Sequence, residues 1–226
     1  LLANLLNSKD EHFMQRFQHI ITSLDIGIHA IKIKDAPNQS IFSGFSHIVP
    51  PGEMPDILNS EMAKSFTEEM KHELVTVHTV YDAEKQTDVK REFPLERESS
   101  GTKNLFLLAF SILDTFDKGS VFIIDEFEKS LHPQIVRTLI ALFHNKDINT
   151  KNAQLIFSTH DISLLNNELF RRDQIWFAEK DETGKTELYS LSSIDGVRNN
   201  VPYDKWYMSG RFGATPLVQE PLLPYG

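Results

Sequence analysis

Asp125 and Glu126 close an apolar hexapeptide, Val121-Phe122-Ile123-Ile124-Asp125-Glu126. The first four residues, β-branched or aromatic, read as a buried parallel strand, and the two carboxylates fall at its C-terminal tip. Acids inside such a strand would be buried without compensation, whereas at the carboxyl end they face the crevice in which open α/β sheets bind ligands. There one carboxylate is suited to ordering a divalent cation on a phosphate, and its neighbour to polarising an attacking water. A core strand running into a polar turn would leave the same six residues, so the flanking sequence has to decide.

Upstream stands Glu98-Ser99-Ser100-Gly101-Thr102-Lys103, and downstream a second apolar run, Leu155-Ile156-Phe157-Ser158-Thr159-His160-Asp161, ending in hydroxyls and a histidine. Residues Thr102 to Phe116 carry Leu105, Leu108, Ala109, Ile112, Leu113 and Phe116 on one helical stripe, with Gly119 where a C-terminal glycine belongs. Ser99-Ser100-Gly101 therefore abuts a helix N-terminus, whose free N–H groups and positive dipole end favour an anion such as a phosphate. A serine N-cap alone would give the same text. A lone histidine is more often structural than catalytic, but His160, at the carboxyl end of a core strand beside the acidic strand, is well placed to contact a phosphate.

The three signals in this order resemble the second half of an ABC-type ATPase head of the AAA-family, SMC- and OLD-like group that includes bacterial abortive-infection and phage-defence ATPases. The resemblance implies an α/β fold: the C-terminal lobe of an ABC-ATPase-like P-loop NTPase head, with parallel core strands flanked by helices and an antiparallel β-arm. By motif, Ser99, Ser100 and Gly101 match the signature loop, Asp125 and Glu126 the Walker B pair, Ser130-Leu131-His132-Pro133 the D-loop and His160 the switch histidine. It implies ATP and Mg²⁺ as cofactors, with Asp125 on the metal, Glu126 and His160 catalytic, and Ser99, Ser100 and Gly101 completing the nucleotide site of an opposing subunit. Two departures stand out. The signature reads Glu-Ser-Ser-Gly-Thr where transporters have Leu-Ser-Gly-Gly-Gln, and no Asp-x-Asp pair marks the metal-dependent nuclease that some OLD proteins carry.

No G-x-x-x-x-G-K-[ST] loop occurs anywhere, and Gly101-Thr102-Lys103 lacks the first glycine. The chain also opens on Leu1 rather than methionine. The expectation is a fragment, or one piece of a longer chain whose Walker A lies upstream, inactive as an ATPase by itself. With 226 residues, 40% of them hydrophobic, the chain is long enough for a sizeable core. No window approaches the roughly 18 uninterrupted apolar residues of a membrane span, and no basic signal-peptide start is present. The absence of cysteine excludes disulfides and thiolate metal sites and fits a cytoplasmic location. A net charge of −9 argues against a uniformly basic nucleic-acid binder, leaving only a local basic groove for DNA.

Around this centre the pattern predicts three regions. Residues 1–94 hold an amphipathic helix to about residue 23, a strand over Ile26–Lys34, a flexible loop over 35–60 and a short helix capped by Asn59 or Ser60 through Lys71. They close with a hairpin of His72–Tyr81 and Val89–Phe93, matching the β-arm. Residues 95–191 form the signature, Walker B and switch-histidine core. It contains helices over Gln134–Asn145 and Ile162–Phe170 and strands over Gln154–Thr159, Asp173–Glu179 and Thr186–Leu191. Residues 192–226 form a tail packing on the head; its Gly210-Arg211-Phe212-Gly213-Ala214 run is similar to the closing segment of abortive-infection ATPases, with Arg211 a candidate phosphate or nucleic-acid contact but read in preference as an ion-pair partner.

The expected function is an ATP-binding and ATP-hydrolysing head, a homodimer or higher oligomer through ATP-sandwiched heads, gating an effector such as a nuclease or toxin subunit in anti-phage defence. Two alternatives stay open. An SMC-like DNA-tethering or repair ATPase would carry a coiled-coil arm, yet no stretch sustains about three apolar heptads. A degenerate nucleotide-dependent binding module is opposed by the intact Asp125-Glu126 pair.

Overall fold

The computed structural model describes residues 2–24, 27–35, 72–198 and 201–215. The loop expected from residue 36 on, the short helix ending at Lys71 and the prolines after Thr215 lie outside them. Among the described residues the fold is mixed α/β, with one parallel strand pair and two antiparallel sheets, and the chain divides into two compact units.

The first unit comprises Leu1–Ile124, Lys129–Leu131 and Phe143–Ile156. Its N-terminal segment is not the single helix expected but two, α1 (Leu2–Asn7) and α2 (Glu11–Ser23). Asp10 causes the break: its extended backbone and its carboxylate, accepting from the Phe13 N–H at 2.7 Å, start a new helix as an N-cap. Phe13, Phe17 and Ile21 form the buried stripe of α2. They meet α3 (Ser100–Lys118), with Phe17 edge-on to Phe106 at 5.6 Å and Phe13 5.5 Å from Phe110. Lys9–Asp114 and Arg16–Asp117 ion pairs flank this apolar contact. At the end of α3, Gly119 takes a left-handed conformation (φ +63°), where a Cβ would also come within 2.9 Å of the Lys151 carbonyl.

Strands β1 (Ile28–Asp35), β2 (His72–Asp82) and β3 (Thr87–Pro94) form an antiparallel sheet in that order, so the expected hairpin gains a third strand. The register slips between Ile28 and Ala30, a bulge that leaves His29 without an opposite residue. Four consecutive residues at the centre of β2, Leu74 to Val77, are buried, so both faces are covered there.

β4 (Val121–Ile124) and β5 (Gln154–Phe157) make the two-stranded core sheet. The Gln154 N–H donates to the Ser120 carbonyl at one end and the Phe127 N–H to the Ser158 carbonyl at the other, so the strands run parallel. Between them in sequence lies α4 (Pro133–His144), giving a β-α-β connection. Contrary to expectation, β4 is not buried on both faces. Ile123 is 70% exposed, and Val121 and Ile156 beside it are about half exposed, so only the Phe122–Ile124 side is covered.

The second unit comprises Asp125–Glu128, His132–Leu142 and Phe157–Gly226. β6 (Trp176–Lys180) and β7 (Thr186–Ser190) form a hairpin whose turn is organised by the Asp181 carboxylate, which accepts from Thr183 and Lys185 N–H groups. Over Ile162–Phe170 the expected helix is only a 3₁₀ turn, Ile162–Leu164. Asp161 caps it through the Ser163 N–H, and Asn166 takes the Glu168 N–H, local bonds that compete with helix propagation. Helix α5 (Tyr203–Met208) and the residues after it close on the hairpin around Ile175, Phe177, Leu191, Val197, Tyr203 and Phe212. Tyr207 stacks on Phe177 with ring centres 5.7 Å apart. The ion pair expected for Arg211 is not present among the described residues; its guanidinium lies 4.5 Å over the Trp206 ring, a cation–π contact.

Candidate functional site

Two loops leave the carboxyl ends of β4 and β5, and the second unit contains both. Asp125 and Glu126 follow β4 directly and are exposed. Phe127 is fully buried with its ring 5.3 Å from Phe157, so an apolar anchor follows at once on the two exposed acids. Glu126 adopts φ +51°, a left-handed conformation that costs a non-glycine residue about 1–3 kcal/mol and persists only where its surroundings enforce it. Ser158 does so: its hydroxyl accepts from the Glu126 N–H at 2.9 Å, its carbonyl accepts from the Phe127 N–H at 3.1 Å, and its hydroxyl donates to the Asp125 carboxylate. The Asp125 carboxylate is thereby oriented while remaining exposed.

His160 lies on the second loop with its residue exposed, and its backbone N–H donates to Oε1 of Glu128 at 2.7 Å. Burial pushes the Glu128 carboxyl up, but hydrogen bonds from the Thr159 hydroxyl and the His160 N–H outweigh it and hold the group below the ordinary glutamate value. Asp125, Glu126 and His160 are thus brought onto two loops cross-linked by Ser158 and Glu128. Neither cross-linker was singled out from sequence. The hydroxyl at the end of the β5 run was the available signal for Ser158; for Glu128, four residues past the strand, there was none.

Ser99, Ser100 and Gly101 belong to the first unit. Ser99 is the N-cap of α3, its hydroxyl accepting from the Thr102 N–H at 3.1 Å and its carbonyl from the Lys103 N–H at 3.0 Å. The N–H groups of Ser100 and Gly101 precede these first bonded amides, at the open end of a helix of 19 residues. The Lys129–Leu131 stretch packs here: the Asn104 side chain donates to the Lys129 carbonyl at 2.7 Å, and Ser130 (φ +60°) lays its carbonyl against Gly101. Pro133 begins α4 as expected, and His132 Nδ1 accepts from the Gln134 N–H at 3.2 Å.

Each unit offers its own kind of group: in the second, hard carboxylate oxygens at a strand end suit Mg²⁺, and in the first, N–H groups at a helix N-terminus suit phosphate. Among the described residues, no group of three or more His, Cys, Asp or Glu side chains is arranged to hold a metal. A single oriented carboxylate matches an ion that arrives on the nucleotide's own phosphates.

A parallel core with acids at its carboxyl ends defines the class as an α/β domain of the P-loop nucleotide-triphosphatase type. Residues 11–166 match the model of the family described as "AAA domain, putative AbiEii toxin, Type IV TA system", and the chain belongs to that family. AAA domains are ATPases that use ATP and Mg²⁺, and this description associates the family with abortive infection and toxin–antitoxin systems. No curated protein matches the chain. No helix among the described residues is long and apolar enough to cross a membrane.

Proposed function

We propose that the chain is the second half of an ABC-type ATPase head, of the SMC- and OLD-like kind, whose ATP-driven dimerisation gates an associated effector in anti-phage defence. The observation that carries this reading is the hydrogen-bonded pair of loops at the carboxyl ends of β4 and β5, which present Asp125, Glu126 and His160 together. The glycine- and lysine-containing phosphate loop that such a site needs is assigned to polypeptide outside residues 1–226.

When bound, Mg²⁺-ATP supplies the phosphoryl group and its electrophilic activation. Asp125, held by the Ser158 hydroxyl, offers the metal a carboxylate oxygen. Glu126 orients the attacking water and accepts its proton, and His160 contacts the terminal phosphate. The Ser100 and Gly101 N–H groups face the terminal phosphate of a nucleotide held by a second copy, so the assembled site takes residues from both heads. On this reading the effector is a nuclease or toxin subunit and the setting is the cytoplasm; DNA is admitted as a further partner and no membrane is involved.

The test is Glu126→Gln in the protein as its gene encodes it. ATP-driven dimers should persist while hydrolysis falls by at least about a hundredfold, the scale of a lost general base. Unchanged hydrolysis would remove Glu126 from the chemistry and the reading with it.

A further inference from the structure

The backbone that carries His160 has no strand to hold it. β5 ends at Phe157, and from Ser158 to Asp161 the chain is neither helix nor strand. Two of its main-chain donors, those of His160 and Asp161, go instead to side chains. The Asp161 N–H turns back to the Thr159 hydroxyl at 3.0 Å, which is local and fixes only the curl of the loop. The His160 N–H is different, because its acceptor is a carboxylate 32 residues earlier in the chain, on the loop that bears the acidic pair. That carboxylate is itself well placed to hold. Glu128 is half-buried, and it follows directly on fully buried Phe127. Its carboxyl is kept below the ordinary value, hence ionised at neutral pH, where a hydrogen bond from an N–H is stronger than one to a neutral acceptor.

We propose that Glu128 is a positioning residue. By accepting the His160 N–H it sets the switch-histidine backbone relative to Asp125 and Glu126, so that the two loops keep one register. This inference rests on the ATPase reading above and adds to it a residue that neither touches nucleotide nor takes a proton. The geometry separates Glu128 from its neighbours in chemistry. Glu126 is exposed and left-handed, whereas Glu128 is half-buried, with its Oε1 committed to a main-chain donor. An amide can serve the same purpose: the Oε1 of glutamine accepts an N–H, and its NH₂ can donate to the Thr159 hydroxyl. A shorter acid cannot reach.

The experiment uses the full-length protein with Glu128→Gln, Glu128→Asp and Glu128→Ala, each also combined with His160→Ala. In nucleotide-free protein, hydrogen exchange at the His160 amide should be slow in wild type and Glu128→Gln and faster by at least about tenfold in Glu128→Asp and Glu128→Ala, the scale of one local hydrogen bond lost. ATPase kcat should follow the same order, with the affinity for ATP within about twofold of wild type in all three. On the His160→Ala background, Glu128→Ala should change kcat by less than about twofold, since residues that act through one another are not additive.

Multiplicative losses in the double variant, or equal His160 exchange in wild type and Glu128→Asp, would overturn the proposal even if Glu128→Ala merely unfolds. Glu126→Gln is measured alongside. If it abolishes turnover while the Glu128 variants behave like wild type, this inference alone fails; if it leaves turnover intact, the ATPase reading fails and takes the inference with it.

Discussion

Gly101 and Ser130 touch through their backbones: a Cβ on Gly101 would lie closer than 3.0 Å to the Ser130 carbonyl oxygen. The glycine is required by this approach and not by its own conformation, since its φ is not in the left-handed range. The carbonyl has little room to give way, because the preceding Lys129 carbonyl is held by the Asn104 side chain.

Gly101→Ala sets two effects against each other. In an exposed helix the change gains up to about 1 kcal/mol, whereas a backbone collision costs about 1–3 kcal/mol. The collision should win, with net destabilisation in chemical denaturation. A stabilised variant would mean that Ser130 yields freely.

Glu98, next to the α3 N-cap, is anchored to the β1–β2–β3 sheet. Its Oε1 lies 2.7 Å from His78 Nε2 and 2.5 Å from the hydroxyl of fully buried Thr76, which also reaches the Phe93 carbonyl at 3.1 Å. Without Glu98 the threonine falls back on that carbonyl, but the histidine loses its partner. Glu98→Ala should therefore cost about 1–3 kcal/mol. The pair is partly solvated, with side chains 14% and 21% exposed, which sets it below a fully buried ion pair. A double-mutant cycle with His78→Ala should give a coupling of at least about 0.5 kcal/mol; full additivity would show that the contact contributes nothing.

Tyr189 predicts a steep alkaline limb. Burial, and then the charge of Glu179, push its hydroxyl up to about 12, while the proton is donated to the Phe212 carbonyl at 2.7 Å. In the unfolded chain tyrosine titrates near 10. The folded form thus holds the proton more tightly, so this contribution is complete below about pH 10 and is lost progressively as pH rises towards 12. Tyr189→Phe should flatten the fall in stability over that window, and the tyrosinate absorbance difference between the two proteins should appear only near its upper end. Titration of Tyr189 near 10 in folded protein would refute the assignment.

Much of this fold is legible from neighbours within about one helical turn. The stripe from Leu105 to Phe116 and the αL glycine at 119 located α3, and the expected hairpin and the two strands around Asp181–Gly184 are present. The failures were local competitions that periodicity ignores. Asp10 restarted a helix that the apolar spacing ran through, and Asp161 and Asn166 diverted donors from the helix expected after His160. The two acids at the β4 tip and the histidine after β5 were also readable, because strand length and residue type place them at carboxyl ends.

What the order of residues could not disclose was which groups hold them there. Ser158 meets Asp125 and Glu126, and Glu128 meets His160, across separations of 32 or 33 residues. Only the parallel pairing of β4 with β5 brings those loops to one end of the sheet. The same holds for Gly101, whose need for a bare Cα arises from a carbonyl 29 positions away. By itself the sequence determined the elements, their caps and the types of group available for chemistry, since these depend on contacts a few residues apart. The tertiary structure alone decided which donor meets which acceptor, because strand pairing sets those distances.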